Sequence, residues 1–417
     1  MKKVSSRELS DLQMMSTSLV SDFGSEARLG IYVHVPFCPH ICPYCDFVKT
    51  SQFKGTDVKT YFDQLEKQFD QLIDFVPDST TSATLYLGGG TPSLFPAKLY
   101  APLVAKIRNR FSVCEFTVET NPYTNAQNGL KAFADLGVNR ITLGAQSLNQ
   151  TVLSYLGRKH TPDQVLNNLT AALNAGIDQV QVDLIFGIKQ LIEVRSIMDE
   201  IKTLAQMGAT GVSCYMLTIE QSTAFKDEST ALDDDIVAEY EALSRACEDV
   251  GFVQFETSNF SKVPPIHNRL YWYGLPYLGL GTGAHGLVPP SKELPFGRRY
   301  SVGRLSGAAR TGDDLLAFAT DADRLFEMKW DEDQRTFEHY REELILTLLR
   351  TQNGIPLRWL DAVFSRECRT RFWQSTKVEK ALSHGFLIKS ETHLSLSAQE
   401  KIRGDSWAVT VMSELHD

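Results

Sequence analysis

The sequence predicts an α/β fold built from six successive βα units, followed by a smaller helical, winged-helix-like C-terminal domain. Three observations carry this. Short β-rich runs recur from residue 31 to residue 217, long segments of helical period separate them, and the pattern changes abruptly after Gly251. The β-rich runs are Ile31–Val35, Leu85–Leu87, Phe116–Val118, Ile141–Leu143, Val180–Ile185 and Val212–Leu217.

Between the first two runs, apolar residues fall at Val58, Tyr61, Phe62, Leu65, Phe69, Leu72, Ile73 and Val76. Spacings of three and four put them on one stripe of a helix. Leu166–Ala175 and Ile197–Met207 repeat the pattern further on. Six βα units in series imply parallel strands joined by right-handed crossovers. Such a set forms either a doubly wound sheet or a full or partial barrel, and in both the functional loops follow the C-terminal ends of the strands.

After Gly251 come Pro264, Pro265, Pro276, Pro289, Pro290 and Pro295 among many glycines, which predicts a loop-rich stretch to about Arg310. Glu342, Leu344, Ile345, Leu348 and Leu349 then read as a helix ending at Asn353-Gly354. Leu357–Phe364 and Phe372–His384 read as two further helices, and Phe386–Ile388 with His393–Leu396 as a hairpin. Three helices and a hairpin resemble a winged helix. The expected division is an N-terminal extension over 1–28, a barrel over 29–255, a loop-rich segment over 256–330 and a helical domain over 331–417. There is no internal repeat and no low-complexity segment.

A chain of 417 residues is long enough for one large core and a smaller one. Its formal charge of −9 argues against general nucleic-acid binding, which needs Lys and Arg to neutralise phosphates. In the winged tail, Lys377 and Lys380 are interleaved with Glu379, so packing or partner docking is expected there rather than DNA binding. No apolar run is long enough for a transmembrane segment. The first thirty residues mix Lys2, Lys3, Glu8, Asp11, Asp22 and Glu26 without an apolar core, so neither a secretory signal nor a transit peptide is expected. Seven cysteines, an odd number, do not make a disulfide framework in a chain this long. Metal thiolates in a reducing compartment, the cytoplasm, suit them better. Cys114, Cys214, Cys247 and Cys368 are scattered and are expected to behave as small buried hydrophobes.

The other three cysteines stand in Cys38-Pro-His-Ile-Cys42-Pro-Tyr-Cys45, directly after the first strand. Thiolates are soft ligands that suit iron–sulfur clusters and zinc. Three in one short loop can each hold one iron of a [4Fe–4S] cubane and leave the fourth iron open for a small ligand to chelate. The competing reading is a Cys3His zinc site completed by His34 or His40, but the second ligand hairpin usual in structural zinc motifs is missing.

The CX3CX2C spacing resembles the signature of the radical S-adenosylmethionine superfamily. Gly88-Gly89-Gly90-Thr91-Pro92-Ser93 follows the second strand, as the family's glycine-rich motif does, where glycines admit close backbone approach. Glu119 ends the third strand in Val-Glu-Thr-Asn-Pro, and Gln146 ends the fourth in Leu-Gly-Ala-Gln-Ser. These stretches look like the branch that holds oxygen-independent coproporphyrinogen III oxidases and heme chaperones, from roughly Leu29 to Gly286, with weaker similarity through the tail. The resemblance implies a partial (β/α)6 radical SAM barrel. It implies that Cys38, Cys42 and Cys45 bind the cluster, that Tyr32 contacts the cluster and its cofactor, and that Gly89, Gly90 and Thr91 receive the methionyl group of S-adenosylmethionine. Glu119, Gln146, Arg158 and Asp183 would bind the amino, ribose and carboxylate functions. The chain departs from the family after Phe186-Gly187, where Ile188-Lys189 replaces a Leu-Pro-Gly turn.

Two features separate the branch members. The oxidases resemble CX3CX2CXC, but here the extra cysteine position is Phe47, in Cys45-Asp46-Phe47. A phenyl ring cannot act as a thiolate. The second is His267-Asn268-Arg269-Leu270-Tyr271-Trp272, which fits the HNxxYW motif of the heme chaperones. Neutral imidazole is a good axial ligand for heme iron, and Tyr271 and Trp272 can pack on a macrocycle. His285, in Gly281-Thr-Gly-Ala-His285-Gly286, is either a second ligand or a turn residue. The expected function is to bind heme and deliver it to acceptor hemoproteins, with the cluster and S-adenosylmethionine as structural or regulatory parts. The alternative is oxidative decarboxylation of coproporphyrinogen III by a 5′-deoxyadenosyl radical.

Overall fold

The computed structural model describes residues 27–122, 126–226, 234–303, 326–331 and 335–415. Almost all of the expected N-terminal extension and the last part of the loop-rich stretch lie outside the described residues. All six predicted runs are strands: β1 (Gly30–Val35), β2 (Ser82–Gly89), β3 (Ser112–Thr120), β4 (Arg140–Gln146), β5 (Gln179–Phe186) and β6 (Gly211–Met216). They pair in parallel and lie in sequential order across the sheet. A doubly wound sheet reverses its order at a switch point, so this order is that of a barrel. The barrel does not close, because β1 and β6 do not meet. β1 pairs with β9 (Tyr277–Leu280), and β6 pairs with β8 (Asn259–Ser261), itself paired with β7 (Val253–Glu256). On the other flank β10 (His285–Val288), β11 (Arg298–Val302) and β12 (Met328–Trp330) extend the sheet antiparallel.

Among its described residues, the segment expected to be loop-rich therefore carries five short strands and a helix. Runs of three to five residues broken by Gly and Pro give no readable alternation, and they form only because the barrel edge supplies their partners.

Outside the sheet lie the crossover helices. The first, α1 (Gly55–Ile73), buries Val58, Tyr61, Phe62, Leu65, Phe69 and Leu72 against the strands. Truncating Leu65 or Leu72 to Ala removes a fully buried side chain, a change that costs about 2–5 kcal/mol. Further crossovers run through α2 (Ala101–Arg110), α3 (Ala126–Asp135), α4 (Gln150–Tyr155), α5 (Pro162–Asn174), α6 (Ile197–Gln206) and α7 (Asp234–Asp249). Helix α5 starts with a complete capping box: the Thr161 hydroxyl accepts from the Gln164 N–H, Pro162 follows at the first helical position, and the Gln164 side chain accepts from the Thr161 N–H.

Helix α8 (Ile266–Trp272) crosses the N-terminal end of the barrel and connects the two cores. Its N-terminus is held by the Glu115 carboxylate of β3, which accepts the backbone N–H groups of Ile266 at 2.7 Å and His267 at 2.8 Å. A carboxylate placed there satisfies two open donors at the positive end of the helix dipole. The C-terminal unit packs α9 (Phe337–Arg350), α10 (Leu357–Val363), α11 (Arg366–Gln374), α12 (Thr376–Ser383) and α13 (Gly404–Leu415) around Trp359, Leu348 and Phe372. A small sheet, β13 (Ile355–Pro356), β15 (His393–Leu396) and β14 (Leu387–Lys389), completes it. The single helix expected over 372–384 is two helices, because Ser375 leaves helical conformation and its hydroxyl caps the Lys377 N–H. Cys214, Cys247 and Cys368 are buried as expected, but Cys114 is exposed. It sits near the start of β3, where the side chains are not covered.

Candidate functional site

The cysteine loop follows β1 and is closed on itself by backbone bonds. The Thr50 N–H donates to the Pro36 carbonyl at 2.7 Å, and the Cys38 N–H donates to the Thr50 carbonyl at 2.9 Å. Inside it the buried Lys49 ammonium donates to the carbonyls of Cys45 at 2.6 Å and Phe47 at 3.0 Å. His34 Nε2 is 2.7 Å from the Val48 carbonyl oxygen, and its Nδ1 is 3.0 Å from the Tyr32 hydroxyl. Cys38, Cys42 and Cys45 all line one cavity of about 320 Å³ at the C-terminal ends of the strands.

The glycine run is where β2 meets this loop. A Cβ on Gly90 would lie 2.7 Å from the carbonyl oxygens of Val35 and Phe37, and one on Gly89 would lie 2.5 Å from the His34 ring. Gly89 also has φ +107°, a conformation that side chains disfavour. The close approach is locked by Gly90 N–H to Val35 O at 2.8 Å and Thr91 N–H to Phe37 O at 2.9 Å. The Thr91 hydroxyl then lies 3.7 Å from Cys38 Sγ.

Polar side chains from the next strands face the same cavity. Glu119 accepts from the Gly89 N–H at 2.9 Å and from the Tyr86 hydroxyl at 3.0 Å. Burial, reinforced by the neighbouring Asp183 carboxylate, pushes its carboxyl up to about 7. Burial raises Asp183 to about 6, and one of its carboxylate oxygens has no hydrogen-bond partner. Gln146 has φ +70°, alone among the described non-glycine residues, at a bulge where the β4–β5 register slips after Gly144. The bulge turns its side chain into the cavity. Arg158 reaches across the mouth: one guanidinium nitrogen is 3.3 Å from Cys42 Sγ, and the other donates to Asn121 Oδ1 and the Gly144 carbonyl, both at 2.6 Å.

The cavity thus gathers Cys38, Cys42, Cys45, Gly89, Gly90, Thr91, Glu119, Gln146, Arg158 and Asp183. Tyr32, His267, Tyr271 and Trp272 do not line it. Tyr32 stands behind Gly88, bonded to His34. His267, expected in a loop, is on α8 and only 1% exposed. Its Nδ1 is 2.7 Å from the Thr84 hydroxyl, its Nε2 is 2.7 Å from the Tyr271 hydroxyl, and its ring stacks on Tyr86 at 5.0 Å. Burial, with Arg140 nearby, lowers its pKa to about 3 and keeps it neutral. Trp272 packs on the C-terminal core beneath the Arg350 guanidinium. His285, by contrast, is exposed.

Both histidines of the zinc reading are already bonded. His34 has both ring nitrogens engaged, and His40, which lines the cavity with Nε2 3.8 Å from Cys42 Sγ, spends that nitrogen on the Gly157 carbonyl at 2.9 Å. Among the described residues no group of three or more His, Cys, Asp or Glu is arranged to hold a single metal ion. The donor set does fit a thiolate-bound cluster, with three thiols on one cavity and a fixed guanidinium beside one of them. Burial pushes the Cys38 thiol up to about 11, so a bound cation is what would hold it as thiolate. The buried, unpaired Asp183 oxygen and the tight glycine cradle likewise fit a small cationic ligand. Sequence reading missed Lys49, Asn121 and above all Arg140 and Thr142, which line the floor of the same cavity.

The chain matches the sequence model of the Radical SAM superfamily over residues 32–201. It is 32% identical to the heme chaperone HemW of Lactococcus lactis over 62% of this chain and 69% of that one. It is 30% identical to the mitochondrial radical S-adenosyl methionine domain-containing protein 1 of Danio rerio over 97% of this chain and 91% of that one. Among solved structures it is similar to the coproporphyrinogen III oxidase HemN of Escherichia coli, with TM-score 0.68, 16% identity, and coverage of 97% of this chain and 93% of that one. At that identity the likeness concerns the fold alone. By its relatives and its barrel, the chain belongs to the HemW family of the radical SAM superfamily.

Proposed function

We propose that this protein is a heme chaperone that binds heme and hands it to acceptor hemoproteins, and that its barrel pocket holds a [4Fe–4S] cluster and S-adenosylmethionine. The observation that carries the choice over oxidase chemistry is Phe47, an exposed phenyl ring at the cavity mouth where the oxidases resemble a further cysteine. The names of the relatives support the same reading. In this reading Cys38, Cys42 and Cys45 hold three irons, and Arg158 offsets thiolate charge at Cys42. Gly89, Gly90 and Thr91 cradle the methionyl group, while Glu119, Gln146 and Asp183 orient its amino and ribose functions. The cluster, when bound, supplies an open iron and a one-electron couple. Free thiols and a reducing requirement fit the cytoplasm, and no helix among the described residues is long and apolar enough to cross a membrane.

Two measurements test the function. The reconstituted protein should transfer heme to an apo-hemoprotein. Under anaerobic, reducing conditions it should not convert coproporphyrinogen III to protoporphyrinogen IX. Turnover with formation of 5′-deoxyadenosine would establish the oxidase alternative instead.

Heme contact through His267, Tyr271 and Trp272 requires α8 to move, because the imidazole must release Thr84 or Tyr271 before a lone pair can face iron. The heme absorption band is therefore expected to develop slowly and to be lost in His267→Ala, with the cluster intact. Loss of the band in His285→Ala but not in His267→Ala moves the ligand to the exposed turn.

The raised carboxyl of Glu119 gives a pH test. A carboxyl at about 7 is largely protonated at pH 6 and ionised at pH 8, and only the ionised form pairs with an ammonium. S-adenosylmethionine should bind wild type more tightly at pH 8 than at pH 6, measured by calorimetry. Glu119→Gln should bind weakly and lose that part of the pH dependence. Without ligand the sign reverses. Folding favours the protonated form, so this group's contribution to stability falls as pH rises from about 4.5 to about 7. An equal pH profile in the variant rules Glu119 out as the ammonium partner.

A further inference from the structure

We propose that the floor of the barrel cavity is a carboxylate-binding subsite built on Arg140 and Thr142. Strand β4 alternates cleanly: Ile141, Leu143 and Ala145 are fully buried in the apolar core, while Arg140, Thr142, Gly144 and Gln146 line the cavity. With two residues per repeat, all four cavity positions fall on one face. Gln146 lies at the cysteine end and Arg140 at the opposite end, in register with Thr117 of β3. Asn268 of α8 closes the floor beside it.

Arg140 is 1% exposed, and its buried Nη1 has no hydrogen-bond partner; the buried hydroxyl of Thr142, on the same face of β4, stands beside the Tyr86 hydroxyl without a well-formed hydrogen bond. Among the described residues no carboxylate lies within ion-pair distance of Arg140. The other arginine that lines the cavity is spent differently: Arg158 bonds Asn121, Gly144 and Cys42. A buried guanidinium that lines the cavity and keeps one N–H unpaired is a ready partner for an oxyanion. The pocket's own acids select its charge. Glu119 and Asp183 line the same cavity and would repel a doubly charged phosphate more than a singly charged, planar carboxylate. Arg140 supplies the charge and the fork, and Thr142 a second donor.

This subsite deepens the pocket reading given above and rests on it for the origin of the carboxylate. The source is a heme propionate, since the methionyl end of S-adenosylmethionine is assigned to Gly89, Gly90 and Thr91 at the cysteine end. The test uses the full-length, cluster-loaded protein and paired ligands. Sodium propanoate should raise the thermal midpoint of wild type where propanamide does not, and Arg140→Gln should lose that difference. Affinities are then measured for heme against its dimethyl ester, with S-adenosylmethionine as the control. Arg140→Gln should weaken heme about tenfold or more, and the ester and S-adenosylmethionine by less than about twofold. Weakening of S-adenosylmethionine but not of heme overturns the propionate assignment. If Arg140→Gln fails to fold, the near-isosteric Thr142→Val reads the same pairs. Propanoate and propanamide acting alike on wild type, or a variant that weakens both members of each pair equally, overturns the subsite and leaves Arg140 a framework cation. Failure of heme to bind wild type while the propanoate effect persists would instead count against the chaperone reading.

Discussion

Replacing Cys38, Cys42 or Cys45 with Ala is expected to remove most of the bound iron and sulfide, whereas Cys114→Ala should leave both unchanged. The three thiols share one cavity wall, so each can hold one corner of a cubane. His34 is tied to Tyr32 and Val48, and His40, though its Nε2 is 3.8 Å from Cys42 Sγ, is tied to Gly157, so either must break a hydrogen bond to replace a thiolate. The remaining cysteines are excluded by position. Cys214 and Cys247 are sealed in the barrel core, Cys368 lies in the C-terminal core, and Cys114 is on the outer start of β3. The loop is closed by backbone bonds and by Lys49, none of which uses a thiol. The variants should therefore fold, with circular dichroism like wild type, while the visible absorption of the cluster disappears. A single member of the three that kept a full complement of iron and sulfide would disprove the ligand assignment. Stoichiometric zinc in place of iron would restore the structural-metal reading.

What could be read from the sequence followed from patterns that stay local. The six strands each bring an apolar run to the core and their crossover helices repeat at three and four, so the succession of βα units needs no tertiary information. The barrel, rather than a doubly wound sheet, follows from the family resemblance. The cysteine loop and the glycine run are likewise contiguous, and their chemistry travels with the spacing. What could not be read depends on partners far along the chain. Helix α8 is seven residues long, follows two prolines and lacks a side-chain cap, so nothing local favours it. Its N-terminal N–H groups are satisfied by Glu115, some 150 residues earlier. That same docking carries His267 from an expected loop to the barrel floor. Arg140 is equally hidden in the sequence. A charged residue at the start of a strand is ordinarily solvated, and only closure by Asn268 and its helix buries it. The alternation Arg140-Ile141-Thr142-Leu143 was the one available signal, since it placed two polar residues on the same face as Gln146.

Gly90→Ala is the second change expected to have a large effect, and it touches no ligand. The added methyl would stand 2.7 Å from two carbonyl oxygens and 2.9 Å from the Phe37 nitrogen. All three are backbone atoms, so no side-chain rotation relieves the contact, and either β2 or the entrance to the cysteine loop must move. Overpacking of this kind typically costs about 1–3 kcal/mol. The displaced atoms are those that accept from Gly90 and Thr91, so both bonds between strand and loop are strained together. Cys38 follows Phe37 directly, and its thiol should move away from Thr91 and out of position for the cluster. We therefore expect a lower thermal midpoint and a marked loss of iron on reconstitution, although all three cysteines remain. Gly55→Ala is the matched control: a Cβ there meets nothing within 4 Å, and Ala at the start of α1 should be neutral or slightly stabilising. A Gly90→Ala protein with wild-type iron content and midpoint would show that the loop can shift without disturbing Cys38, and the close approach of β2 would lose its role in positioning the cluster.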